Sequence, residues 1–124
     1  VRLLVDTHVV LWWLLDDDSL SADVKDMLDH EPDACLSAAT TWEVAIKQAM
    51  GKLKGPKDLP ERLRDSGLVE VPITMEHSII AGRLPRFHND PFDRMLIAQA
   101  LHNDLTLVTR DAEIQRYKVP VLAV

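Results

Sequence analysis

The chain has 124 residues, with 14 Lys plus Arg against 20 Asp plus Glu, and a formal charge of −6 with His neutral. At this length folding buries roughly two-thirds of the surface that the unfolded chain exposes, enough for one core without disulfides or a structural metal, so a single domain over residues 1–124 is expected. An apolar fraction of 47% beside 27% charged residues excludes a disordered or collagen-like chain, and the acidity excludes a protein that holds nucleic acid by bulk positive charge.

The longest apolar run, Val9 to Leu15, falls far short of the ~20 residues that span a bilayer. No leader-like stretch precedes the strand-like Leu3 to Val5, so the expected location is the cytoplasm. The one cysteine, Cys35, lies in an apolar stretch; an internal disulfide is impossible and a buried, reduced thiol is expected.

Taken in chain order, short β-like runs alternate with helical stretches. Leu3 to Val5 reads as a strand and Thr7 to Leu15 as a helix that is apolar nearly all the way round. Trp12 and Trp13 on that helix either pack inside the domain or face a partner. The triple acid Asp16 to Asp18 reads as a solvated loop, and Ala22 to His30 as a helix. Ala34 to Ser37 is the second strand, and Thr41 to Met50 the next helix. Gly51 to Leu59, rich in Gly and Lys, reads as an exposed loop. There follow a helix at Pro60 to Ser66, a strand at Val69 to Val71, and helices at Met75 to Arg83 and Pro91 to Asn103. A strand at Thr106 to Val108, a short helix at Ala112 to Arg116 and a strand at Val119 to Leu122 complete the chain. Five short apolar strands suit an α/β fold whose parallel sheet is covered on both faces.

Four carboxylates fall where such a sheet gathers ligands, at the carboxyl ends of strands and the starts of helices. Asp6 follows the first strand and Asp111 the fourth; Glu43 and Asp93 fall in the first turns of their helices. Each alone has the form of a cap: Thr40 with Glu43 resembles a capping box, and Asp90 precedes Pro91. Capping does not require a carboxylate at so many starts along one edge, where Ser, Thr or Asn would serve without mutual repulsion. If the four converge, a divalent cation would neutralise them, and carboxylate oxygens suit Mg²⁺ or Mn²⁺ rather than zinc. The five histidines show no paired-ligand spacing and read as ordinary surface or partly buried residues. No nucleophile elbow, phosphate-binding glycine loop or dinucleotide fingerprint is present.

LLVDTHVVLWWL at the start, SAATTWEVAIK in the middle, then HNDPFDRMLIAQA and LTLVTRD together resemble the PIN-domain ribonucleases, and among them the VapC toxins of toxin–antitoxin pairs. The resemblance spans nearly the whole chain. It implies a three-layer sandwich with a five-stranded parallel sheet between helices. It places the family's acidic, metal-binding site on Asp6, Glu43, Asp93 and Asp111, with the Thr109 hydroxyl beside the metal and Asp90 left as a cap. It also implies an RNA substrate, a homodimer and a VapB-type antitoxin partner.

The expected activity is Mg²⁺-dependent hydrolysis of RNA phosphodiester bonds by the toxin of a type II pair. Arg94, Arg110 and Lys47 are the expected phosphate contacts, because a guanidinium grips two phosphate oxygens and all three lie near proposed ligands in sequence. For Lys47 an i, i+4 pair with Glu43 is the competing reading. The rival functions are a non-catalytic interaction module, whose acids only cap helices, and another metal-dependent phosphoesterase acting on DNA or phosphomonoesters.

Overall fold

The computed structural model describes residues 2–124. Five strands, β1 (Leu3–Val5), β2 (Ala34–Ser37), β3 (Val69–Val71), β4 (Thr106–Thr109) and β5 (Val121–Ala123), form one sheet in the order β3-β2-β1-β4-β5. All four pairings are parallel. The helices are α1 (Thr7–Leu14), α2 (Ala22–His30), α3 (Ala38–Ala49), α4 (Leu59–Arg64), α5 (Met75–Arg83) and α6 (Pro91–Asn103), followed by a 3₁₀ turn at Ile114–Arg116.

The layering follows from the pleat, because successive strand residues point to opposite faces. Leu3, Val5, Leu36 and Val108 enter one core, which α1, α2, α3 and α4 cover with Val9, Val10, Leu28, Val44, Leu59 and Leu63. Leu4, Cys35, Val71 and Leu107 enter the other, covered by Leu96, Ile97 and Ala100 of α6 together with Ile114 and Tyr117. Central strands must be apolar on both sides, which is why β1 is an unbroken apolar run and β4 is apolar at Leu107 and Val108. The result is the three-layer α/β sandwich that the motifs imply. Both tryptophans of α1 pack within the chain: Trp13 Nε1 donates to Asp29 Oδ1 at 2.8 Å, and the Arg110 guanidinium lies 4.6 Å from the Trp12 ring. No helix among the described residues is long and apolar enough to cross a membrane.

The structure departs from expectation at three ends. α3 begins at Ala38 rather than Thr41, because Ser37 Oγ accepts the Ala39 N–H at 3.0 Å and lets β2 run straight into the helix. This moves Glu43 out of the first turn and leaves no capping box; Thr40 is buried, its hydroxyl 3.1 Å from that of Thr7. The last short helix is only a 3₁₀ turn, and β5 starts at Val121, after Pro120.

Leu107 is fully buried on a central strand. Leu107→Ala should lower the unfolding free energy by about 3 kcal/mol, as removal of a core leucine side chain does, measured as a shift in urea midpoint; a loss below about 1 kcal/mol would contradict its place in the core.

Candidate metal centre

From β1 the chain builds outward through β2 and β3, then crosses back to lay β4 and β5 on the other side of β1. The crevice at the carboxyl ends of β1 and β4 is therefore the topological switch point, where open α/β sheets bind ligands. Asp6 stands at the end of β1 and its N–H donates to Val108 O at 3.0 Å. Across the crevice, Thr109 Oγ1 donates to Asp6 Oδ2 at 2.6 Å and accepts the Asp111 N–H at 3.0 Å. One buried hydroxyl thus joins two of the four acids.

Each carboxylate has a distinct setting. Asp6 caps α1, its Oδ1 accepting the His8 N–H at 2.8 Å. Burial pushes the Asp6 carboxyl up, but hydrogen bonds from His8 and from the Thr109 hydroxyl outweigh it and hold the group below its usual range. Glu43 is buried on α3, where Oε1 accepts the Thr7 hydroxyl at 2.9 Å and Oε2 accepts Lys47 Nζ at 2.7 Å. Asp93 lies in the first turn of α6, behind the cap Asp90, whose Oδ1 accepts the Phe92 N–H at 2.8 Å and the Asp93 N–H at 3.3 Å. Burial, then the charges of Asp6 and Asp90, push the Asp93 carboxyl up to about 7. Asp111 is half-buried and Oδ1 accepts the Glu113 N–H at 2.7 Å.

Asp93 and Asp111 meet at a residue absent from the expected site, His88. Its Nε2 lies 2.9 Å from Asp93 Oδ2 and 3.2 Å from Asp111 Oδ2. These three residues each offer one donor atom within 4.8 Å of the others. Asp6 and Glu43 lie outside this set. Asp6 is tied to it through Thr109, and both raise the Asp93 carboxyl by their charge. In sequence His88 forms no spaced pair with another ligand type and so reads as an ordinary histidine. The signal that could have found it is its place two residues before the Asp90 cap, where the chain turns back over the start of α6.

The donor set fits a divalent cation. Its carboxylate oxygens are hard ligands, and a buried Asp93 left to repel its neighbours is the imbalance that a cation removes. When bound, such an ion would polarise a phosphate oxygen and lower the pKa of a coordinated water. A cavity of about 480 Å³ lies elsewhere, between α3 and α4, lined by Leu36, Trp42, Ala45, Leu63, Arg64 and Leu68. It contains none of the four acids.

The three expected phosphate contacts are placed differently. Arg94 is buried; its Nη1 donates to Pro85 O and His88 O at 2.9 and 3.1 Å, and its Nη2 to Ala81 O and Leu84 O at 2.8 and 2.9 Å. A guanidinium whose fork is filled by four carbonyls is an internal strap for the turn between α5 and α6. Arg110 points away from the acids, donating to Val124 O and Ser19 O at 2.8 Å each. Lys47 pairs with Glu43, as the i, i+4 reading has it. At the rim of the acids stand Lys47 and, more exposed, His8, its side chain 69% exposed. Its hydrogen bond to Asp6 raises the imidazole pKa against the opposing effect of burial.

Fold and site together define an open-sheet α/β protein whose acidic edge has a donor set that could hold a divalent cation. A family model described as PIN domain matches residues 3–120, and the chain belongs to that family. It is 29% identical over 126 residues to Ribonuclease VapC22 of Mycobacterium tuberculosis, covering 95% of this chain and 93% of that one. The VapBC2 complex of Rickettsia felis, solved with a fragment of promoter DNA, superposes with a TM-score of 0.76 at 13% identity over 100% of this chain and 99% of that one. FitAcB of Neisseria gonorrhoeae gives a TM-score of 0.71 at 24% identity, over 98% and 96%.

Two outcomes follow. Arg94→Lys cannot reach four carbonyls from one ammonium. It should destabilise the fold by about 3 kcal/mol and speed amide exchange across Leu84 to Asn89; an unperturbed exchange pattern would return Arg94 to solvent. For Asp93, the folded carboxyl titrates at about 7 and the unfolded one at 3.8, so the folded state binds the extra proton between them. Its ionisation therefore weakens the metal-free protein as pH rises from the lower value to the higher, with the full loss above both. Asp93→Asn should raise the metal-free Tm by at least about 4 °C at about pH 8 and give no gain below about pH 4; equal melting at the higher pH would show that Asp93 ionises freely.

Proposed function

We propose that this protein is a VapC-type endoribonuclease, the toxin of a toxin–antitoxin pair, which hydrolyses RNA phosphodiester bonds with Mg²⁺ or, in its place, Mn²⁺. The observation that carries this reading is the meeting of Asp93 and Asp111 at the switch point, their Oδ2 atoms 2.9 and 3.2 Å from one His88 nitrogen, with Asp6 joined to Asp111 through Thr109. Membership of the PIN family, a relative named a ribonuclease, and a fold shared with toxin–antitoxin complexes support it.

In this reading Asp93 and Asp111 hold the cation, with Asp6 and Glu43 facing the same edge as ligands or as acceptors that orient the attacking water. Thr109 fixes the Asp6 carboxylate, and Thr7 with Lys47 fixes that of Glu43, so neither reorganises as charge develops on the phosphate. The exposed His8 ring, beside Asp6, is placed to donate a hydrogen bond to the entering phosphate. The apolar cores on the two faces of one sheet support reading the chain as one domain, and the setting proposed for it is the cytoplasm, as a homodimer held by an antitoxin.

Purified protein incubated with RNA should cleave it in Mg²⁺ and not in EDTA, with single-stranded DNA as the parallel substrate. Asp6→Asn and Asp93→Asn should each lower the rate by at least about 100-fold, the scale of losing a group that stabilises the transition state, while circular dichroism remains unchanged. Cleavage in EDTA, or full activity in either variant, would sink the assignment.

A further inference from the structure

The His88 ring is held at every polar atom. Its Nδ1 accepts the Asp90 N–H at 3.2 Å, and its Nε2 faces two carboxylate oxygens. A ring nitrogen that accepts an N–H carries no proton of its own, whereas one that faces two acceptors must carry one. The imidazole is therefore the Nε2–H tautomer, with the proton aimed between Asp93 and Asp111. An Nε2 that bears a proton has no lone pair for a metal, and shifting that proton to Nδ1 would set it against the Asp90 N–H.

The backbone is pinned as firmly as the ring. The His88 N–H donates to Tyr117 Oη at 2.9 Å, His88 O accepts from Arg94, and the Tyr117 hydroxyl donates to Pro85 O. The loop carrying His88 is thus strapped to α6 and to the segment after β4, leaving side-chain rotation as the ring's freedom.

Resting on the nuclease reading, we infer that His88 is a stand-in for the cation rather than one of its ligands. Its Nε2–H holds the Asp93 and Asp111 carboxylates together before loading and gives way to the ion as the ring rotates about a fixed loop. His88 is in this sense a positioning residue. It keeps two carboxyl groups assembled in an unloaded site, and it competes with the metal for the space between them.

The test measures Mn²⁺ binding by calorimetry to the full chain and to His88→Ala and His88→Gln. A stand-in predicts Mn²⁺ affinity in both variants within about threefold of the parent or tighter, with a larger Tm rise on metal addition because the metal-free state has lost its bridge. A ligand predicts weakening of about tenfold or more, at least the scale seen when supporting groups of metal ligands are removed; any weakening beyond threefold overturns the inference. Should the variants fail to fold, ¹⁵N resonances of the parent's His88 ring decide the matter. Retention of the Nε2–H tautomer on titration with diamagnetic Mg²⁺ supports the stand-in, and conversion to Nδ1–H overturns it. Failure of the parent itself to bind either ion would overturn the nuclease reading and this role with it, an outcome distinct from weakened binding in the variants alone.

Discussion

The hydrogen bond from Thr109 Oγ1 to Asp6 Oδ2 joins the carboxyl ends of two central parallel strands at the point where the chain changes direction across the sheet. Much of the acidic edge depends on it. The same hydroxyl accepts the Asp111 amide, so one side chain sets the spacing of two carboxylates. Parallel pairing of β1 with β4, Val5 opposite Val108, brings the Thr109 hydroxyl to this place. The apolar packing on both faces is therefore what aligns the edge.

Like charges collected on one edge oppose folding unless each has a partner. Each has protein partners, but not equally: amide and hydroxyl for Asp6, hydroxyl and ammonium for Glu43, amide and imidazole for Asp111, and for Asp93 only the imidazole that it shares with Asp111. Asp93 is the most exposed to repulsion while lying buried, and it is the one whose ionisation is most strongly opposed. The imbalance is local. It gives physical content to the claim that this edge receives a cation, which a list of acids alone could not.

The strands and most helices were legible because apolar runs, Pro91 and the turn residues act locally. The four acids are proposed from their places after strands and at helix starts; the structure brings Asp93 and Asp111 to one point and sets Glu43 beyond the first turn of α3. The start of α3 was misjudged because Ser37, the last residue of β2, also caps the helix, a double role that periodicity does not reveal. Arg94 looked like a phosphate contact because it adjoins Asp93 in sequence, yet neighbours along a helix point about 100° apart, and this one points inward. His88 was missed for a related reason. Its importance comes from meeting Asp111, 23 residues away, through the return of β4 to the sheet centre.

The Thr109 to Asp6 contact spans 103 residues of sequence. Contacts of such separation form late, after the loop-closure cost of the intervening chain has been met. A chain still being synthesised can lay β2 against β1 but leaves the other side of β1 bare, with Asp6 unlinked, until residues beyond Asp111 have emerged. The acidic edge is thus absent from every nascent chain that has not yet exposed Asp111, and the site is assembled only once β4 has joined β1.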